Sequence, residues 1–244
     1  WYVKIYNSLC IKEGERILDL GCGFAKLWRN NWTDIPSNVT IDAYDLHGSW
    51  ADDFAKFLPE HKECLSEGTE VSLRFEDIEK QETWNDLSRK KPYSMVIAHY
   101  LMDVLSDPQA LVARPADILA PGGLFSVNNI CSTNEHLFWI DTLKASGLNP
   151  SFAIDKYQEA KNAEEEFQTI LSKYFRSITN VRLDSPLRFD TPEDLLERAR
   201  KRFPQADDYL QNNKNKLITY FRTLYKDTNS IILNNDSLFW HCYK

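Results

Sequence analysis

The stretch ILDLGCGFAKLW, residues 17–28, runs an apolar segment into a carboxylate, then two glycines one residue apart, then a pattern with helical spacing. This reads as a strand over residues 16–20, a tight turn at Gly21-Cys22-Gly23 and a helix over residues 25–31. Glycine lets backbone amides approach a bound group with no Cβ in the way, and a following helix presents its N-terminus to electron-rich atoms. Alone, G-x-G does not separate a nucleotide cradle from an ordinary strand-to-helix corner. Two details narrow the choice. The dinucleotide fingerprint needs glycine or alanine at its sixth position, where this chain has Lys26. Asp19 puts a carboxylate at the strand tip, which repels a pyrophosphate and attracts an ammonium group. The ligand chemistry that fits is a nucleoside joined to a cationic amino acid.

Outward from this corner, strand and helix patterns alternate. Residues 1–10 look helical; VTIDAY (39–44) is a second strand ending at Asp45; Ser49 with Asp52 suits a capping box for a helix to about residue 58. EVSLRF (70–75) and YSMVIA (93–98) are the third and fourth strands, and a helix starts at Asp107-Pro108, with Pro115 expected to kink it. APGG (120–123) is expected to turn the chain into a fifth strand, LFSV. Five strands separated by helices require crossover connections, hence a parallel sheet. Farther on, helical excursions cover about 155–175 and 192–226, VRLDSPLRF (181–189) reads as one strand between them, and SIIL and LFWHCY flank Asn234-Asn235-Asp236 as a hairpin. The expected fold is α/β: a Rossmann-like doubly wound sheet of about seven strands, mostly parallel with an antiparallel C-terminal hairpin strand, helices on both faces, in one domain over 1–244.

The 244 residues are 43% hydrophobic and 27% charged, enough for a substantial core. No apolar run approaches the ~20 residues that cross a bilayer, and the first residues do not resemble a signal peptide, so the expected location is the cytoplasm with no membrane partner. The five cysteines are far apart with no CxxC pair, which argues against a disulfide framework or a metal site. A net charge of -7 disfavours a nucleic-acid partner, and the basic cluster at 198–202, mixed with Glu197, reads as a solvated helix face. The chain starts at Trp1 rather than Met, so loss of an N-terminal segment is expected.

ILDLGCGFAKLW resembles motif I of the class I S-adenosylmethionine-dependent methyltransferases, an acid followed by x-G-x-G-x-G, with Ala25 in place of the third glycine. The resemblance implies that Asp19, Gly21, Cys22, Gly23 and Ala25 hold the methionine portion of S-adenosyl-L-methionine, with S-adenosylhomocysteine as product. It places Asp45 on the ribose hydroxyls, both of which a carboxylate can accept from, and Leu46 beside the adenine. In FEDIE (75–79), Asp77 would accept from the adenine amino group while Ile78 packs on the ring. VIAHYLMDVLSD (96–107) resembles the segment between cofactor and acceptor, which implies cofactor contacts at Ala98 and His99 and an acceptor contact at Tyr100. STNEHL (132–137) resembles a stretch of many small-molecule members and adds His136 to the acceptor side. The likeness runs through ILAPGGLFSV (118–127) to the terminal LFWHCYK and so covers nearly the whole chain. Ala98 and Ser94 depart from the more polar residues that relatives carry there. In the family, residues upstream of the first strand close over the cofactor, so the lid here is expected to be incomplete.

Plainer roles stay open for each residue. Asp19 and Asp45 can cap helices, and Asp77 can be a loop acid. Cys22 would act through its backbone amide. His99 is either a general base or a positioning residue that bonds a neighbour, and His136 is either a substrate contact or a cap. His47 lies over the adenine or in solvent. The implied activity is methyl transfer to an oxygen, nitrogen or carbon atom of a small molecule by a monomer or homodimer. An RNA or protein methyltransferase of the same fold and a non-catalytic cofactor binder are the alternatives, with an NAD-dependent reductase third.

Overall fold

Apolar strand runs punctuated by acids and glycines become the centre of one large sheet. The computed structural model describes all residues except Lys91, Ile130 and Asp227. In chain order the elements are α1 (Tyr2–Leu9), β1 (Arg16–Leu20), α2 (Lys26–Arg29), β2 (Thr40–Asp45), α3 (Ala51–His61), β3 (Glu70–Phe75), α4 (Gln81–Lys90), β4 (Tyr93–Ala98), α5 (Pro108–Ile118) and β5 (Leu119–Asn128). Then follow α6 (Asn134–Ala145), α7 (Ser151–Leu171), β6 (Ser177–Leu183), β7 (Pro186–Phe189), α8 (Pro192–Arg202), α9 (Asp207–Asn212), α10 (Lys214–Leu224), β8 (Ile231–Asn234) and β9 (Ser237–Tyr243). The seven-stranded sheet has the order β3-β2-β1-β4-β5-β9-β6. β3, β2, β1, β4 and β5 are mutually parallel, and β9 runs antiparallel to β5. The strand order reverses between β1 and β4, and the crevice beyond the carboxyl ends of strands at such a point is where doubly wound sheets take ligands.

Five local expectations give way to different geometry. The helix after the glycines is four residues, Lys26–Arg29, because its first turn starts from a left-handed Ala25 and ends at Asn30. No Ser49–Asp52 capping box forms; a 3-10 turn over Gly48–Trp50 leads into α3. APGG lies inside β5 rather than before it: Tyr93 pairs with Leu119 and Met95 with Leu124, so these residues bulge from the ladder while the strand continues. Residues 181–189 divide at Asp184-Ser185 into β6 and β7, since Pro186 has no amide to donate and opens a new strand. The two C-terminal strands do not pair with each other, because β8 joins β7 in a separate antiparallel two-stranded sheet while β9 joins β5. α5 runs on through Pro115 to Ile118.

The chain divides into two compact units, the first made of residues 1–129, 166–183 and 238–244, the second of 130–165 and 184–237. The first unit's core gathers Ile17, Ile41, Met95, Ile97 and Leu124 from the sheet with Ile5, Leu9, Trp28 and Phe54 from the helices. The second is built on Trp139, Leu195, Phe203, Leu217, Phe221 and Leu233. Glu135, fully buried there, takes a bidentate pair from Arg198 (2.7 and 2.5 Å) and the indole N–H of Trp139 at 3.1 Å. Burial works against its charge, yet Arg198 and Trp139 more than offset this and hold its pKa below the usual value. Among the described residues, no helix is long and apolar enough to cross a membrane.

Candidate functional site

The tip of β1 leaves Asp19 4% exposed, its Oδ2 accepting the indole N–H of Trp28 at 2.7 Å. Trp28 sits one turn into the short helix, so the glycine corner folds the chain back until indole and carboxylate meet. Gly21 has φ +70°, and a Cβ there would lie 2.7 Å from Leu101 Cδ1, so glycine is required both by conformation and by space. Ala25 adopts the left-handed conformation that favours glycine, with φ 51° and ψ 32°.

The loop's amides have internal partners. Gly21 and Cys22 donate to Tyr44 O at 2.8 and 3.0 Å, and Gly23 donates to Asp45 Oδ2 at 2.7 Å. The Cys22 N–H, expected to be the part of that residue that matters, ties the loop to β2. What the loop offers a ligand is space and the adjoining carboxylates. Asp45 Oδ1 accepts from His47 N at 2.9 Å, and each of its oxygens keeps a lone pair for a further donor. Asp77 accepts from Glu79 N at 2.9 Å in a loop turn.

Two adjoining cavities open at this edge, both within the first unit. One, about 220 Å³, is lined by Asp19, Gly21, Cys22, Gly23, His99 and Tyr100, with Tyr2 and Ile5 of α1 and with Phe24, Lys26 and Leu27. The other, about 370 Å³, is lined by Asp45, Leu46, Asp77, Ile78, His47 and Trp50, and shares Gly21, Gly23 and Tyr100 with the first. The three strand-tip acids are thus gathered around one pair of cavities. Ala25 and Ala98 are buried (1% and 0% exposed) and line neither, so their expected cofactor contacts are not brought to the cavities. His136 belongs to the second unit, where it completes a capping box with Thr133 and its Nε2 lies 2.6 Å from Arg202 Nη2.

Electrostatics distinguish the acids. Burial pushes the Asp19 pKa up to about 7; the Trp28 N–H opposes the rise and the charge of Asp45 adds to it. Among the described residues, no lysine or arginine pairs with Asp19 or Asp45. The Cys22 thiol is pushed up by burial and by Asp19 and Asp45, which makes it a poor nucleophile. His99 Nε2 is 2.8 Å from Ser126 Oγ and its ring stands edge-on to Phe239; burial and the neighbouring His241 lower its pKa to about 3. Tyr100 has φ +56°, which is rare for a bulky residue, and its N–H donates to Asn128 Oδ1 at 2.6 Å. Ser126 and Asn128, two residues apart on β5, thus anchor both residues that leave β4. Sequence reasoning missed Asn128, Phe24 and Trp50; no local pattern marks them, since their roles arise from packing between distant segments.

A buried carboxylate with no cation beside it among the described residues, two glycines at the strand exit and two further acids around a second cavity together form a set of hydrogen-bond acceptors. No protein-family model matches the chain, and no curated protein matches it in sequence. Solved structures do. The chain is 11% identical to precorrin-6y C5,15-methyltransferase of Geobacter metallireducens (TM-score 0.55, covering 100% of this chain and 87% of that one). It is 14% identical to the cyclopropane synthase MmaA2 of Mycobacterium tuberculosis (TM-score 0.53, 100% and 82%). It also matches phosphoethanolamine N-methyltransferase 2 of Haemonchus contortus, solved with S-adenosyl-L-methionine, at 16% identity and TM-score 0.49, covering 100% of this chain and 52% of that one. The chain therefore spans about half the length of that nematode enzyme. At these identities the likeness is one of fold: a Rossmann-like α/β sheet of seven strands that includes an antiparallel C-terminal strand, shared with solved methyltransferase structures.

Proposed function

We propose that the chain binds S-adenosylmethionine across the two cavities and transfers its methyl group to a small-molecule acceptor. The observation that carries this reading is Asp19, a carboxylate buried at the tip of β1, with no cation beside it among the described residues and a pKa near 7. An ammonium group placed there would restore its charge and satisfy it. Asp19 holds the α-ammonium, while Gly21 and Gly23 leave room for the methionine chain. Asp45 accepts from the ribose hydroxyls without releasing the amides of Gly23 and His47. Asp77 accepts from the adenine amino group, and Ile78, buried at 7% exposure, packs against the ring.

When bound, the cofactor supplies a methyl group already activated on a sulfonium, so the protein's task is alignment and exclusion of water. Tyr100 borders both cavities. His99, neutral and weakly basic, acts as a positioning residue rather than a proton acceptor, with Ser126 fixing its ring. The net charge of -7 supports a small acceptor over a nucleic-acid chain.

Titration calorimetry with S-adenosylmethionine, S-adenosylhomocysteine and NAD tests the cofactor class. Saturable binding of the two adenosyl amino acids and not of NAD supports the reading; the reverse pattern overturns it. Mass spectrometry of small molecules that co-purify with the protein then tests the acceptor class.

A further inference from the structure

Glu79 stands on the loop after β3, borders the 370 Å³ cavity and has no part in the chemistry proposed above. Its backbone is held from several sides. Trp84 Nε1 and Arg114 Nη1 donate to Ile78 O at 2.6 and 3.1 Å, and Glu79 N donates to Asp77 Oδ1 at 2.9 Å. From this fixed post the carboxylate reaches the loop after β4. One oxygen, Oε1, accepts from Ser106 N at 2.9 Å, from Asp107 N at 3.3 Å and from the Ser106 hydroxyl.

The loop that this contact tethers supplies part of the cavity wall, through Leu101, Val104 and Leu105. It is pinned unevenly. At its start Tyr100 N donates to the buried Asn128 at 2.6 Å, and Leu101 and Met102 are buried. From 103 to 107 every residue is exposed or half-buried, and Val104, an apolar side chain, is 71% exposed. Among the described residues the backbone bonding within this loop is a single hydrogen bond, Val104 N to Leu101 O at 3.1 Å. A stretch with few buried contacts and sparse backbone hydrogen bonds opens at little free-energy cost. What closes it is the Glu79 oxygen, through charge-assisted bonds exposed enough to break and re-form.

We propose that residues 103–107 form a strap bordering the 370 Å³ cavity, latched at its far end by Glu79, and that release of this latch admits and frees the ligand's nucleoside portion. The identity of that ligand rests on the cofactor reading above; the latch is a property of the ligand-free protein. Glu79 is a positioning residue that acts through the strap.

Hydrogen exchange of the ligand-free protein reads the latch. In Glu79→Ala the amides of Ser106 and Asp107 should exchange about tenfold faster than in the native protein, the scale of one lost charge-assisted hydrogen bond, while the Tyr100 amide keeps its protection. Glu79→Gln, which retains an uncharged acceptor oxygen, should fall between the two. Stopped-flow tryptophan fluorescence with S-adenosylhomocysteine reads the gate. Association and dissociation should both quicken in Glu79→Ala, with the equilibrium affinity changed less than either rate. Unchanged exchange at Ser106 and Asp107 overturns the latch. Faster dissociation alone marks Glu79 as a direct ligand contact and overturns the gate, as do unchanged rates beside faster exchange. If the native protein does not bind S-adenosylhomocysteine, the cofactor reading fails and the gate with it, while the exchange result still decides the latch.

Discussion

If Asp19 carries a pKa near 7 in the free protein and meets an ammonium group in the complex, binding must expel a proton. The perturbation is pH, and the magnitude follows from the shift. A cation beside the carboxylate would return it toward its ordinary value of 3.8, so the ligand binds the ionised form. With a free-state pKa of about 7, the apparent affinity for S-adenosylhomocysteine should be about tenfold weaker at pH 6 than at pH 8, and about half a proton should leave at pH 7. Calorimetry in buffers of different ionisation enthalpy reads that proton count directly. In Asp19→Asn, which keeps an oxygen for the Trp28 N–H, the buffer dependence should vanish and binding should weaken. The same substitution should stabilise the ligand-free protein at pH 8. An acid whose folded pKa is raised loses stability as pH rises from 3.8 to about 7, by at most about 4 kcal/mol at about 1.4 kcal/mol per unit. A native protein that binds the ligand with no buffer dependence at pH 7, or an Asp19→Asn variant less stable than native at pH 8, would refute the account of Asp19.

Three further outcomes follow from particular contacts. Ala25→Gly relieves a left-handed non-glycine residue and should raise stability by about 1 kcal/mol in denaturant titration; a loss would mean that the methyl's packing outweighs the strain. Arg198→Ala leaves the fully buried Glu135 without its bidentate partner and should cost about 3–5 kcal/mol, read by thermal unfolding; a change under about 1 kcal/mol would show that the pair is not needed to hold that charge. His99, lowered to about 3 from an ordinary 6.5, stays neutral while the unfolded chain takes up a proton, so its contribution to stability falls as pH drops below 6.5. Asp19 has the opposite slope between 3.8 and about 7, so the two partly cancel in the native protein. Asp19→Asn should therefore lose stability on acidification from pH 6.5 to 4 more steeply than native; parallel curves would contradict one of the two shifts.

β1, β3 and β4 were legible to the residue because each is an apolar or alternating run closed by a glycine, an acid or a turn, signals carried by neighbours in sequence. The errors fell where distant partners decide. APGG carries strong local turn chemistry, yet pairing of Tyr93 with Leu119 on one side and Met95 with Leu124 on the other keeps it within a strand. β8 and β9 look like a hairpin locally, but their ladders are with β7 and β5, and strand pairing depends on packing context that local pattern does not contain.

The site divides along the same line. That Asp19, Asp45 and Asp77 stand at successive strand tips was legible, because parallel strands of this topology present their ends on one edge. What the side chains and amides do there was not. A glycine motif reads as a set of free N–H donors, yet Gly21, Cys22 and Gly23 give theirs to Tyr44 O and Asp45 Oδ2. Donors already engaged by protein acceptors add little to ligand affinity, since binding would only exchange one hydrogen bond for another. Recognition on this reading comes from groups with no ionic partner among the described residues, and at the first cavity that group is Asp19, a buried carboxylate of raised pKa. The glycines act by conformation: their positive φ angles bring the chain back over β1 so that Asp19 meets Trp28 at the floor of the cavity and Lys26 stands at its side. On the proposed reading, the turn's own hydrogen bonds to Tyr44 and Asp45 and the Trp28 N–H fix Asp19 where a cationic group of the ligand would meet it.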